Sequence, residues 1–145
     1  MRKTLQIAAL AAALLASGCA TLPATYSVNN SRTYEDQTFD QVWEKLVGFF
    51  ASRNIPIKNI AKDSGVIYAE STSFGNEFAD CGTGGLMVPF ARRASVNVFV
   101  TRSSEHPKVS VNTGFQEMRR FDASTTTVNC NSKGVIERAV LDAIE

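Results

Sequence analysis

The chain has 145 residues, with 15 Lys and Arg against 14 Asp and Glu, one His, three Cys and 44% hydrophobic residues. That length supports one domain with a real core and not comfortably two. The near balance of charge excludes the clustered basic stripe that nucleic-acid binding requires, and Arg92-Arg93 and Arg119-Arg120 read as isolated, solvated surface pairs.

Met1-Arg2-Lys3, the apolar run from Leu5 to Leu15 and the small residues Ser17-Gly18 reproduce the basic, apolar and cleavage regions of a secretory signal. The apolar run is about 11 residues, where a retained span needs about 20, so it is expected to be removed. Cys19 directly after Ser17-Gly18 resembles the lipobox of bacterial lipoproteins. The resemblance implies cleavage before Cys19, diacylglycerol on its sulfur and acylation of the new N-terminus. With Ala20 in place of the Asp that marks inner-membrane retention, it implies an outer-membrane anchor facing the periplasm. A plain secretory cleavage before an incidental Cys is the alternative. Residues 1–18 are therefore assigned to the signal peptide, 19–37 to the lipidated Cys and a flexible tether, and 38–145 to one folded domain.

Without residues 1–18, which carry only Arg2 and Lys3 as charged groups, 127 residues remain with 13 basic and 14 acidic side chains. With Cys19 assigned to lipid, Cys81 and Cys130 are an even pair in an oxidising compartment, and a disulfide between them is expected. Zinc is the rival, but two distant Cys and the lone His106 make a poor ligand set, so no metal or other cofactor is expected. Thr21 to Asp36 lacks apolar periodicity and reads as the tether.

Thr38-Phe39-Asp40-Gln41 matches a capping box, and Phe39, Val42, Trp43, Leu46, Val47 and Phe50 form one apolar face of the helix that follows. Trp43 at that spacing is assigned to the core. Strand patterns follow at Ile55 and Ile57, Val66–Glu70, Ser95–Thr101, Lys108–Asn112 and Asp122–Cys130, with Lys62-Asp63-Ser64-Gly65 and Ser103–Pro107 as turns. The connections are too short for helical crossovers, so the sheet is antiparallel. A closing helix carries Ile136, Ala139, Val140, Ala143 and Ile144 on its apolar stripe, capped by Asn131 or Ser132, with Glu137, Arg138 and Asp142 facing away. The expectation is an α+β domain, an antiparallel sheet of about five strands packed by an N-terminal and a C-terminal helix.

That order, with the Phe39-Asp40-Gln41-Val42-Trp43 helix start and the Asp63-Ser64-Gly65-Val66-Ile67 hairpin, resembles the helix-grip domains of BamC-like outer-membrane lipoproteins. Members of that family assist the machine that inserts β-barrels. The resemblance spans Thr38 to Glu145 and implies the fold type. There is room for one such domain where BamC carries two, and the Cys81/Cys130 pair lies outside the pattern, so the family's role is not carried over.

No residue pattern carries catalysis. His106 sits in a Ser/Glu/Pro turn beside Ser103 and Ser104, Glu70, Glu77 and Asp80 have no spacing that forces them together, and Gly82-Thr83-Gly84-Gly85 lacks the Lys-Ser/Thr of a phosphate loop. The long segment Ser73–Arg93 holds apolar residues without periodicity. Its alternatives are a flap on the sheet pinned by Cys81, or a surface in which Leu86, Met87, Phe90, Arg92 and Arg93 meet another envelope protein. A non-enzymatic, lipid-anchored accessory subunit of an envelope assembly is the reading these features favour. The alternatives are a binder of a small apolar ligand, in a cavity lined by Phe99, Phe115 and Phe121, and an inhibitor of a cell-wall hydrolase. Intact mass of the protein extracted from its own envelope is expected to show a chain starting at Cys19 with diacylglycerol and an N-acyl group. A chain starting there without lipid contradicts the lipobox reading.

Overall fold

A computed structural model of the chain describes residues 19–102 and 106–145, so the signal-peptide assignment lies outside the described residues. The fold is α+β, in the order β1 (Ser31–Thr33), α1 (Phe39–Ser52), β2 (Ile57–Ala61), β3 (Val66–Ser71), β4 (Ala79–Asp80), β5 (Val88–Thr101), β6 (Lys108–Phe121), β7 (Ser124–Ser132) and α2 (Val135–Asp142). All pairings are antiparallel, in the order β2-β3-β5-β6-β7-β4, with β1 also on β6. Seven strands replace the expected five because two short ones, β1 and β4, fill the edge beside β6 and β7. Neither is long enough to show a period of two.

Helix α1 begins as its sequence dictates. The Thr38 hydroxyl accepts from the Gln41 N–H at 3.3 Å, and the Thr38 N–H donates to the Gln41 side chain at 2.8 Å. Val42, Trp43, Leu46, Phe49 and Phe50 are buried, and the helix ends where Asn54 takes a left-handed φ of 53°. Helix α2 departs from expectation at both its start and its faces. Its cap is the left-handed Gly134, and Ser132 accepts from the Gly134 N–H at 3.0 Å instead of capping the helix itself. Glu137, expected to face away, is buried and accepts from the Thr113 hydroxyl at 2.5 Å. A helix packed along a sheet buries more than a narrow stripe; the hydroxyl on β6 serves one oxygen of this carboxylate, while its Oε2 is buried without a hydrogen-bond partner.

The core lies between the two helices and one half of one sheet face. Val96, Val98 and Val100 of β5 pair with Thr113, Val111 and Val109 of β6, and the five Val join Phe50, Leu46, Leu141 and Ile144 in one cluster. Strand β5 is twice its expected length, because Val88–Arg93 continues the ladder into the segment expected to be a loop. A register irregularity between Pro89 and Ala91 masks its alternation in sequence.

The expectation of a flexible tether over residues 19–37 is corrected. Ser31–Thr33 pairs with Lys108–Ser110, the Asn30 carbonyl accepts from Val111 at 2.7 Å, and Tyr34 is buried with its hydroxyl donating to the Leu141 carbonyl at 2.6 Å. Arg32 reaches Asp142 at 3.0 Å and also Glu145. Edge β6 offers unpaired backbone groups that a polar segment can satisfy without any apolar pattern. Burial pushes the Tyr34 phenol up from 10.0 to about 12, with Glu145 and Asp142 adding to the rise and Arg32 opposing it. The folded state thus keeps a proton that the unfolded state releases first. Stability is expected to fall as pH rises from 10.0 to about 12. Tyr34→Phe should flatten that limb in urea midpoints measured across the range, and an unchanged slope would contradict the assignment.

Candidate functional site

The helices leave the outer half of the β5–β6–β7 face uncovered, and the segment between Ser73 and Met87 lies over it. Strand alternation turns Arg92, Ala94, Phe115, Glu117, Arg119 and Cys130 toward that segment. Cys81 and Cys130 are disulfide-bonded, which ties the segment to β7 and packs Ala79 and Phe115 beside the bridge. The segment brings backbone carbonyls with no ladder partner, and two arginines supply the donors. Arg119 donates to the carbonyls of Cys81 at 2.5 Å and Gly82 at 3.1 Å, and Arg92 donates to that of Phe74 at 3.2 Å.

Buried Glu117 pairs with both and offsets one of their two charges. Its Oε1 accepts from Arg119 Nε at 2.7 Å, and its Oε2 accepts from Arg92 Nη2 at 2.6 Å and Nε at 2.9 Å. Phe74 stacks edge-on against Phe115 at 5.0 Å, with the Arg92 guanidinium 5.2 Å from its ring centre. The expectation that both arginine pairs are solvated surface is corrected for one member of each. Neighbours on a strand face opposite ways, so Arg92 and Arg119 point inward while Arg93 and Arg120 remain exposed. At the edge of this segment the Gly82 N–H, donating at 2.7 Å, holds the Asp80 carboxyl below its usual range, and the Tyr26 hydroxyl at 3.2 Å adds to the effect.

Beyond the clamp the sheet ends in exposed apolar side chains: Leu86 at 75%, Val88 at 64%, Phe90 at 50% and Phe121 at 52% exposure. The Arg120 guanidinium lies 5.2 Å over the Phe90 ring. Of the residues expected at a partner surface, Leu86 and Phe90 come together here, Met87 is half-buried, Arg92 is committed to Glu117 and Arg93 faces the open side of the sheet. Val88 and Phe121 were not legible as members, because the ladder that places Val88 opposite Arg120, next to Phe121, pairs residues 32 apart in the chain.

The start of the described chain also arrives at this end. Thr21 bridges Thr83: the Thr83 N–H donates to the Thr21 carbonyl at 3.1 Å, and the Thr21 N–H donates to the Thr83 hydroxyl at 2.9 Å. Gly82, at φ 64°, admits this approach because a Cβ there would stand 2.1 Å from the Thr21 carbonyl oxygen. The Asn131 side chain donates to the carbonyls of Pro23 at 3.3 Å and Ala24 at 3.0 Å. Cys19 is a free, exposed thiol two residues before Thr21.

Other sequence candidates are dispersed. Glu70 pairs with Ser95 on β5, while Asp80 is on β4 four strands away, about 19 Å at the usual strand spacing and beyond the reach of a carboxylate pair. Phe115 is buried beside the disulfide, whereas Phe99 and Phe121 are exposed, so the three do not line one cavity. The face of the sheet opposite the helices carries a shallow depression of about 900 Å³ bordered by Tyr68, Glu70, Arg93, Ser95, Gln116 and Asn129. Among the described residues no helix is long and apolar enough to cross a membrane, and no three His, Cys, Asp or Glu side chains group as metal ligands. No protein-family model and no curated protein matches the chain.

The clamp gives a direct stability test. Glu117→Gln leaves Arg119 as an unmatched buried charge and is expected to cost about 3–5 kcal/mol in denaturant unfolding with the disulfide intact. Arg120→Ala, on the exposed side, is expected to cost less than about 0.5 kcal/mol. Equal effects of the two would contradict the inward assignment of Glu117 and Arg119.

Proposed function

We propose that this chain is an exported, lipid-anchored envelope protein that works by binding, as a non-enzymatic accessory subunit of an outer-membrane or periplasmic assembly. The observation that carries the reading is the division of its exposed surface. An apolar end stands beside Cys19, and a broad polar sheet face is left without cover by any described element. The signal-like leader and the Gly18-Cys19 junction support the anchor, and the disulfide suits an oxidising compartment. Two helices packed on one face of an antiparallel sheet support the helix-grip likeness at the level of fold.

Within this reading the body is a rigid adaptor. Its polar face, with Arg93, Gln116 and Asn129 in one row across β5, β6 and β7, presents charge and amide groups suited to a protein partner. Tethering to a membrane confines the domain near its targets, so a modest affinity suffices. Photo-crosslinking in cells from Gln116 and Asn129 tests the adaptor role. One defined envelope protein is expected from both positions, and no protein adduct from either contradicts it.

A further inference from the structure

We infer that the helix-free end of the body lies on the phospholipid surface that carries Cys19, with Leu86, Val88, Phe90 and Phe121 entering the headgroup–acyl boundary and Arg120 set against lipid phosphates. The inference deepens the proposed function and rests on Cys19 being the acylated residue.

Three independent placements converge on this end. The first is the exit point of the anchor. Thr21, Pro23 and Ala24 are hydrogen-bonded to Thr83 and Asn131, so the chain before them is no spacer. Cys19 stands at most about 7 Å from Thr21, the span of two extended residues. A lipid on its sulfur therefore holds the membrane surface against the Gly82–Leu86 turn.

The second is the distribution of exposed apolar side chains. Five of the nine large exposed hydrophobics among the described residues, Leu22, Leu86, Val88, Phe90 and Phe121, belong to this end. The end lies away from the helices, beyond the segment that the Cys81–Cys130 bridge holds over the outer half of the sheet. The acyl chains implied at Cys19 hold the chain at the bilayer, and interfacial insertion of apolar side chains fixes which end of the body faces it.

The third is charge. The outer halves of β5, β6 and β7 and their turn carry four arginines, Arg92, Arg93, Arg119 and Arg120, against Glu117 and Asp122. Glu117 is already shared by two of them, and Arg120 remains exposed at the apolar border over Phe90. Arg120 over the Phe90 ring is an amphipathic pair, its ring able to enter the boundary while the guanidinium reaches a phosphate. A protein occupant would have to sit in the plane of the membrane within a few residues of the anchor. The bilayer is already there.

The test uses the whole mature sequence with Cys19→Ser, which has no lipid, and vesicles of phosphatidylethanolamine with one quarter phosphatidylglycerol. Co-sedimentation is expected to show weak binding that Leu86→Asp with Phe90→Asp lowers roughly tenfold, since charge replaces apolar groups at the boundary. Circular dichroism and an unreduced disulfide must be unchanged in that variant. Phe90→Trp provides a second readout: brominated acyl chains should quench its fluorescence and leave the buried Trp43 unquenched. Equal binding of the two proteins, no quenching at position 90, or a stoichiometric envelope protein crosslinked from that position in place of lipid overturns the inference. Acylation of Cys19 is read separately by the mass of the protein from its own envelope. Vesicle binding with an unmodified Cys19 would remove the anchor and keep the docking end, whereas an acylated Cys19 with no vesicle binding would remove the docking end alone.

Discussion

A strand is more than twice as long as a helix of the same number of residues, and this mismatch shapes the molecule. Strands β5 and β6, at 14 residues each, run about 46 Å, while the 14 residues of α1 cover about 21 Å. The helices can therefore close only the half of the sheet bearing Val96, Val98, Val100, Val109 and Val111. The other half needs a different cover. The chain supplies an irregular segment, and irregular backbone over a sheet brings carbonyls that must find donors.

Each feature of the covered half answers that need. Arg92 and Arg119 provide donors, Glu117 pairs with both, and the disulfide holds the segment in register with β7. In the chain-entropy description, closing a loop of this size contributes about 4 kcal/mol. The Arg119 hydrogen bonds to Cys81 and Gly82, with the bridge at Cys81, fix where the turn from Gly84 to Phe90 begins. The N-terminal run completes the edge of β6 at one end and meets Thr83 at the other, which fixes where the chain emerges relative to the apolar tip.

What was legible in the sequence follows the same division. Helix α1, its capping box and its buried Trp43 are local, set by residues three and four apart. The hairpin turn at Lys62–Gly65 and the antiparallel sheet follow from short connections, and the disulfide from the two Cys that remain once Cys19 is set apart. The rest depends on pairings across the chain. Nothing near Arg119 signals that Cys81, 38 residues earlier, offers its carbonyl. Nothing near Glu137 announces the Thr113 hydroxyl that lets it be buried. The apparent tether misled for a physical reason: a polar segment without periodicity satisfies an open strand edge through its backbone, and side-chain pattern does not report that. At the candidate site Leu86 and Phe90 were visible as apolar residues in an irregular stretch, whereas Val88 and Phe121 joined them only through the β5–β6 register.

The segment after Cys19 is docked along the body, so that the chain leaves it at the apolar end. Amide hydrogen exchange measures this most directly, at the Val111 N–H that donates to the Asn30 carbonyl and the Thr83 N–H that donates to the Thr21 carbonyl. Docking requires both amides of the mature protein to exchange as slowly as the paired amides of β7. Exchange at the rate of open solvent-facing backbone at both positions would mean that Cys19 swings free of the apolar end, and would contradict the account.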